Sequence, residues 1–227
     1  MSFTPEQDIL AVWHDNAAPW IAAIQERRIE SRRLITDQAI IDAVLKTLPR
    51  RVLDVGCGEG WLARRLMQAG LEVTGVDAVA ELVEAACEQG GHFRQLSYEQ
   101  LAAGELGETF DVAVCNFSLL GKDSVDSLLK AMSAILCAQG VLIIQTLHPM
   151  MADLSQPYRD GWREGSWAGC GDGFGQAAPW YFRTLAGWQD SFVSADLRLT
   201  EVMEPLHPQT GRPASIIFTL SPMTHGL

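Results

Sequence analysis

The stretch Val52-Leu53-Asp54-Val55-Gly56-Cys57-Gly58-Glu59-Gly60-Trp61 decides the fold. It opens as a short β-rich run, Arg51 to Val55, and from Trp61 to Ala69 the apolar spacing becomes helical, with Gly70 placed where a helix C-cap belongs. Glycines between a strand and a helix let the backbone turn tightly and approach a ligand. The helix start meanwhile presents unpaired N–H groups to an anionic group. A Gly-x-Gly-x-Gly run alone is equally what a tightly packed turn requires.

A second element gives the loop its meaning. Leu71 to Val76 reads as a second strand, and Asp77 stands at its end, nineteen residues beyond Gly58. A carboxylate at that place accepts hydrogen bonds from both hydroxyls of a ribose. Loop and acid together locate an adenosine-type ligand at the carboxyl ends of strands one and two. The dinucleotide fingerprint has glycine at its sixth position, where it leaves room for a pyrophosphate. Here that position is Trp61, which disfavours NAD and FAD, and the chain has no Gly-Lys-Ser/Thr phosphate loop.

Outward from this core the chain alternates. Val79 to Glu88 reads as a helix, His92 to Leu96 as a third strand, and Phe110 to Cys115 as a fourth. Ser124 to Leu136 follows as an amphipathic helix and Val141 to Thr146 as a fifth strand. Strands separated by helices of this length imply βαβ units, hence a parallel sheet covered by helices on both faces. Before the core, residues 1–48 read as a helical cap that Pro49 ends. After it, residues 150–183 are rich in Gly, Trp, Pro and Tyr and show no period, as lids and binding elements do. Residues 184–227 read as a helix from Thr184 to about Ser194 and an antiparallel strand pair, Leu197–Val202 and Ala214–Leu220. The whole is expected to be a single domain, with 49–149 as its cofactor-binding core.

Charge and cysteines narrow the partners. The 227 residues carry a formal net charge of −11, against the excess of Lys and Arg that a nucleic-acid or anionic-membrane binder needs. Arg27, Arg28, Arg32 and Arg33 form the densest basic group, and helical spacing makes a solvated face the first reading of them. Five scattered cysteines without a CxxC pair suggest neither a disulfide framework nor a zinc site, and suit a reducing cytosol. No apolar stretch approaches the roughly 20 residues that span a bilayer. A soluble, cytoplasmic protein is expected.

Val52 to Gly60, acidic residue included, resembles the first motif of the class I S-adenosylmethionine-dependent methyltransferases. The order of elements from 51 to 146 and the terminal strand pair resemble that superfamily too, most closely its small-molecule branch. The resemblance implies a Rossmann-like α/β fold, a seven-stranded, mostly parallel sheet whose final strand is antiparallel. It implies S-adenosyl-L-methionine as cofactor and methyl transfer to a small-molecule acceptor. By position it places Asp54, Gly56, Cys57 and Gly58 at the methionine end of the cofactor and Asp77 on the ribose. Ala78, beside Val79, would flank the adenine, and Ser97 and Tyr98 would stand near the adenine amino group, where the family usually has Asp. Asn116 and Phe117, with Ser118 after them, would face both cofactor and acceptor. Asn116-Phe117-Ser118-Leu119 lacks the two prolines common in methyltransferases of nucleobase amino groups.

Methyl transfer from a sulfonium needs alignment in a dry pocket, and a base only where the acceptor must lose a proton. His148, after the fifth strand and before Pro149, is the candidate base. A strand-end histidine that fixes a carbonyl is the plainer reading. His14 is a lesser candidate and His207 a turn residue. Trp162, Trp167, Trp180, Tyr181 and Phe182 read equally as a pocket lining or as anchors of a long loop. Arg32 and Arg33 would meet the cofactor carboxylate only if the N-terminal helices fold over it. Two other readings stay open: a nicotinamide-dependent oxidoreductase, and a protein that binds S-adenosylmethionine without turnover.

Overall fold

A computed structural model describes residues 5–151 and 156–223. The segments expected at 1–48, 150–183 and 184–227 each extend beyond those residues. Nine strands and eight α-helices are present among the described residues. The main sheet is built from β1 (Arg51–Val55), β2 (Glu72–Asp77), β3 (His92–Gln95), β4 (Phe110–Asn116), β5 (Leu136–Thr146), β8 (Leu197–Met203) and β9 (Ile216–Pro222). Its order is β3-β2-β1-β4-β5-β9-β8, with the first five strands parallel and β9 antiparallel to both of its neighbours. This is the seven-stranded Rossmann-like sheet that the resemblance implies.

Alternation along β1 explains why the sheet is covered on both sides. Val52 points into an apolar cluster with Ile40, Val44, Leu62, Leu66 and Ile143. Leu53 and Val55 point the other way, among Leu128, Met132, Trp188 and Phe192. The first face is packed by α3 (Asp37–Lys46) and α4 (Trp61–Gln68), the second by α7 (Asp123–Ile135) and α8 (Leu185–Ser194). Strand order reverses between β1 and β4, and the loops after these strands meet at their carboxyl ends, where ligands bind in such sheets.

The structure departs from the expectations in four places. A short helix, α6 (Tyr98–Ala102), intervenes after β3, and its sequence signal is a capping box of Ser97 with Gln100. β5 starts at Leu136, earlier than Val141. The aperiodic segment contains a two-stranded antiparallel ribbon, β6 (Gly161–Arg163) with β7 (Trp180–Phe182). Three residues per strand are too few for a period to show. The N-terminal region is broken into α1 (Pro5–Asp15), α2 (Ala17–Gln25) and a π-type turn, Arg32–Thr36, that leads into α3.

Trp13 and Trp20 therefore lie on different helices, meeting edge to face at 5.1 Å. Helices α1 and α2 rest on α5 (Ala80–Glu88) through Ala17, Trp13, Trp20 and Ile21 against Val79 and Leu82. His14 Nε2 meets Glu81 Oε1 at 2.8 Å on that surface. No helix among the described residues is long and apolar enough to cross a membrane.

Candidate active site

The glycine loop is wrapped around the end of β2. The amides of Gly56 and Cys57 both donate to the Val76 carbonyl, at 2.8 and 3.0 Å, and Gly60 caps α4 with φ +83°. Gly56 has φ +71°, and a Cβ there would overlap the Ser118 side chain and stand 3.1 Å from Tyr98 Oη. Glycine is demanded twice over, by backbone and by space. Gly58 also has a left-handed φ, yet a Cβ there would meet only Trp20 Nε1, at 3.6 Å. The loop is tight beneath and open above.

Asp77 closes the other side. Its Oδ2 accepts the Gly58 amide at 2.9 Å and its Oδ1 the Val79 amide at 3.0 Å. Burial raises its pKa, while the amides of Val79, Gly58 and Ala78 oppose the rise. Each oxygen keeps a second lone pair, so the carboxylate can hold the loop and still receive hydroxyls. Ala78, next along, offers its carbonyl to Gln95 Nε2 at 3.1 Å.

Beneath the loop lies an acidic nest. Asp54 and Glu59 are each 1 % exposed, and Asp54 Oδ2 and Glu59 Oε2 have no hydrogen-bond partner. Burial, then the charges of Glu59 and Asp77, push the Asp54 carboxyl up to about 7, against the pull of the Ala63 amide and Arg32. Burial also raises Glu59, with Arg32 and Arg64 opposing. Cys57 is buried, and its thiol is pushed well up by burial and then by Asp54, Asp77 and Glu59.

Arg32 is the residue that sequence reasoning undervalued. It is buried, not part of a solvated face, whereas Arg27, Arg28 and Arg33 are exposed. Its Nε bonds Asp37 Oδ1 at 2.9 Å, its guanidinium lies 4.5 Å from the Trp61 ring and 5.7 Å from that of Trp20, and its Nη2 has no partner. The break between α2 and α3 turns this one arginine inward, and no helical spacing reveals that. A buried guanidinium with a spare donor, beside two carboxylates with spare acceptors, suits a ligand head that carries both an ammonium and a carboxylate.

The loops after β3 and β4 brace the site. Ser118 Oγ donates to the Val55 carbonyl at 2.7 Å, and Tyr98 Oη to the Ser118 carbonyl at 2.9 Å. Tyr98 thus stitches three loop ends together from below, while Ser97 caps α6. Each hydroxyl makes one such bond and keeps further hydrogen-bonding capacity. Phe117 holds φ +54° with its amide on the Gln145 carbonyl at 2.8 Å. A bulky side chain in the left-handed region is strained, and such strain gathers at functional sites. Asn116 Oδ1 is buried and unpartnered beside it.

His148 has no idle nitrogen. Nε2 is 2.7 Å from Glu204 Oε1, and Nδ1 accepts the Met150 amide at 3.2 Å. Nδ1 as acceptor makes Nε2 the protonated nitrogen, donating to Glu204. His14 is on the surface pair already described, and His207 Nδ1 accepts the Gln209 amide within its turn.

The aromatic residues of the aperiodic segment divide. Phe182 is buried, with Arg163 stacked 3.4 Å from its ring centroid, and the neighbouring Arg183 donates to the carbonyls of Gly121 and Lys122 and to Asp126. Tyr181 donates its amide to the Leu120 carbonyl, after β4. Trp167 instead stacks on Phe174 at 4.4 Å and meets Trp13 and Trp20 at 5.3 and 6.3 Å. Asn16 ties the same stretch to α1 and α2, through the Gly175 amide and the Gln176 carbonyl. The anchors are at 180–183. The aromatic wall above the glycine loop is shared by Trp13, Trp20, Trp167 and Phe174.

This glycine loop, acid and strand order define an α/β protein built for a nucleoside bearing an amino-acid head. A model of the methyltransferase domain matches residues 25–197, and the chain belongs to that family, the class I S-adenosylmethionine-dependent methyltransferases. Among curated relatives, the ubiquinone biosynthesis O-methyltransferase of Xanthomonas axonopodis pv. citri is 34% identical over 114 residues, 48% of this chain and 47% of the relative. That of Haemophilus ducreyi is 34% identical over 108 residues, 44% of this chain and 46% of the relative. The chain spans about half the length of the curated relatives it matches.

Solved structures share the fold over nearly the whole chain. The 1,6-didemethyltoxoflavin-N1-methyltransferase of Burkholderia thailandensis, with bound 1,6-didemethyltoxoflavin and S-adenosylhomocysteine, has a TM-score of 0.67 at 18% identity, covering 99% of this chain and 93% of that one. The magnesium protoporphyrin IX methyltransferase of Synechocystis PCC 6803, with bound S-adenosylhomocysteine, has a TM-score of 0.66 at 14% identity, covering 96% and 100%.

Proposed function

We propose that this chain transfers a methyl group from S-adenosylmethionine to a small organic acceptor. The observation that carries the reading is the cradle around Gly58: an open glycine between the Asp77 carboxylate, the spare donor of Arg32 and the spare oxygens of Asp54 and Glu59. In this reading Asp77 receives the ribose hydroxyls, the backbone of Gly56, Cys57 and Gly58 lies along the methionine portion, and Ala78 flanks the adenine. Arg32, Asp54 and Glu59 hold the amino-acid head. Asn116 and Phe117 form the floor between cofactor and acceptor. Trp61 at the start of α4, with Arg32 over it at 4.5 Å, occupies the place where a dinucleotide needs glycine.

When bound, the cofactor supplies an electrophilic methyl group on a sulfonium. The chain's own part is to align the acceptor and keep water out. Trp13, Trp20, Trp167 and Phe174 exclude water above the loop, while Ser118 and Tyr98 fix the floor. His148 would accept a proton only if the turn at Pro149–Met151 released Nδ1 from the Met150 amide. The bonds it makes favour a strut at the end of β5 over a base. The net charge of −11 and the Asn116-Phe117-Ser118-Leu119 sequence favour a small acceptor over a nucleic acid.

The test is a thermal melt followed by an acceptor panel. S-adenosylmethionine and S-adenosylhomocysteine should raise the melting temperature by mass action, while NAD and FAD leave it unchanged. The panel, read through release of S-adenosylhomocysteine, should turn over small aromatic or heteroatom acceptors and not DNA or RNA. Equal stabilisation by NAD overturns the cofactor assignment. Cofactor binding with no turnover across the panel favours a binding protein without catalysis.

A further inference from the structure

Three indoles meet above the glycine loop, and their N–H groups have three different fates. Trp167 donates to the Gln176 carbonyl at 3.2 Å. Trp13, on α1, has Nε1 buried and without a hydrogen-bond partner. Trp20, on α2, also makes no hydrogen bond through Nε1 among the described residues, but there the N–H is open to solvent. An indole nitrogen can only donate, so this one is a donor in need of an acceptor.

The rest of the Trp20 ring is held in place. It meets Trp13 at 5.1 Å and Trp167 at 6.3 Å, and it packs in the apolar cluster with Ala17, Val79 and Leu82. The start of α2 is fastened to the opposite wall by buried Asn16, through the Gly175 amide and the Gln176 carbonyl. What remains is the nitrogen, and it stands 3.6 Å from the place that a Cβ on Gly58 would take. Arg32, with its own unpartnered Nη2, lies 5.7 Å from the same ring. Two unused donors, one neutral and one cationic, thus stand together beside the open side of the loop.

A ligand lying along that loop brings its ribose hydroxyls to Asp77 as donors and its adenine beside Ala78. Its head carboxylate is the one anionic group it carries, and hydrogen bonds to an ionised acceptor are about twice as strong as neutral ones. Resting on the function proposed above, we infer that Trp20 Nε1 donates to the carboxylate of the ligand's amino-acid head, and so selects ligands that carry this head over nucleosides that lack it. The glycine loop, Asp77 and Ala78 offer no such choice, because they face parts that a bare nucleoside also has. S-adenosylmethionine and S-adenosylhomocysteine carry the same head, so Trp20 holds both alike and rejects the shorter nucleosides.

The test crosses one variant with two ligands. Trp20→Phe keeps an aromatic ring against Trp13 and Trp167 and removes the N–H. Methylthioadenosine keeps the adenine, ribose and sulfur of S-adenosylhomocysteine and lacks the amino-acid head. By calorimetric titration of the full chain, Trp20→Phe should weaken S-adenosylhomocysteine about tenfold and leave methylthioadenosine within about twofold of wild type. A general loosening of the wall acts on both ligands and cancels in their ratio. Should the variant fold poorly, the wild type carries the test through the indole N–H signals of its seven tryptophans in an NMR spectrum. One of them should move on addition of S-adenosylhomocysteine and stay in place with methylthioadenosine. Equal weakening of the two ligands, unchanged affinity for S-adenosylhomocysteine, or indole signals that respond identically to both overturn the inference and leave the proposed function standing. Failure of the wild type to bind S-adenosylhomocysteine at all overturns both.

Discussion

Residues 51–77 and residues 156–183 border the same end of the sheet and are held there by different means. In the first, two strands, a helix start and a carboxylate fix the backbone through amides: Gly56 and Cys57 on Val76, Gly58 on Asp77. In the second, a three-residue ribbon and a few side chains do the holding, with Arg183 and Phe182 at one end and Trp167 and Asn16 at the other. The first wall is a consequence of the fold, so it serves a cofactor that every member of the family shares. The second is fastened to the fold at points and is free to vary between them, which suits an acceptor particular to each enzyme.

The sharpest way to break this contrast is at Gly56. A side chain there overlaps Ser118 and meets a left-handed backbone, so Gly56→Val should abolish measurable cofactor binding and lower the melting temperature by well over the roughly 2–4 °C that about 1 kcal/mol moves in a domain of this size. A stable, cofactor-binding Gly56→Val protein would show that the loop is far less constrained than its contacts imply.

Within the second wall, the anchor and the lining should separate. Phe182→Ala removes a buried ring and should cost about 3–5 kcal/mol in chemical denaturation. Trp167→Ala, in a half-buried aromatic wall, should cost clearly less while raising the acceptor's half-saturation or lowering turnover. Equal losses of stability would mean that 156–183 is one anchored unit and not a wall with a free face.

The smallest expected effect is at Asp77. Its removal as Asp77→Ala should weaken the cofactor by about 1.5–3 kcal/mol. The sequence suggests that Asp77→Asn does less harm, since an amide oxygen still accepts. The structure revises that, because both carboxylate oxygens accept backbone amides and an Asn would turn an NH2 toward one of them. Calorimetry should place Asn close to Ala, and an Asn variant near wild type would refute the bridging role.

The sheet and the glycine loop were legible in the sequence because each is written in neighbouring residues: a β-rich run, a glycine turn, a helical period, an acid after the next strand. The helix α6 was legible only through the Ser97–Gln100 pair, since five residues give no period. Arg32, Trp20 and Ser118 reach the site across long separations in the chain, and local spacing carries no record of such contacts. Arg32 reads first as part of a solvated face and, with Arg33, as a cofactor contact only if the N-terminal helices fold over the site; the break after α2 turns Arg32 alone inward. His148 shows the converse, since its position pointed to the pocket while its two bonds, to Glu204 and Met150, depend on partners that no motif names.

Glu6, near the start of α1, accepts hydrogen bonds from the amides of Asp123 and Ser124 and from Ser124 Oγ, and so caps α7 from across the sheet's carboxyl edge. At its other end α1 is pinned by His14 to Glu81. The helix is a crossbar over the mouth, latched at both ends by water-facing polar groups and seated on a small apolar patch. The polar latches are weakened by salt, whereas the apolar seat against Val79 and Leu82 is not. Ionic strength therefore acts first on the fastening of this crossbar and last on the sheet beneath it.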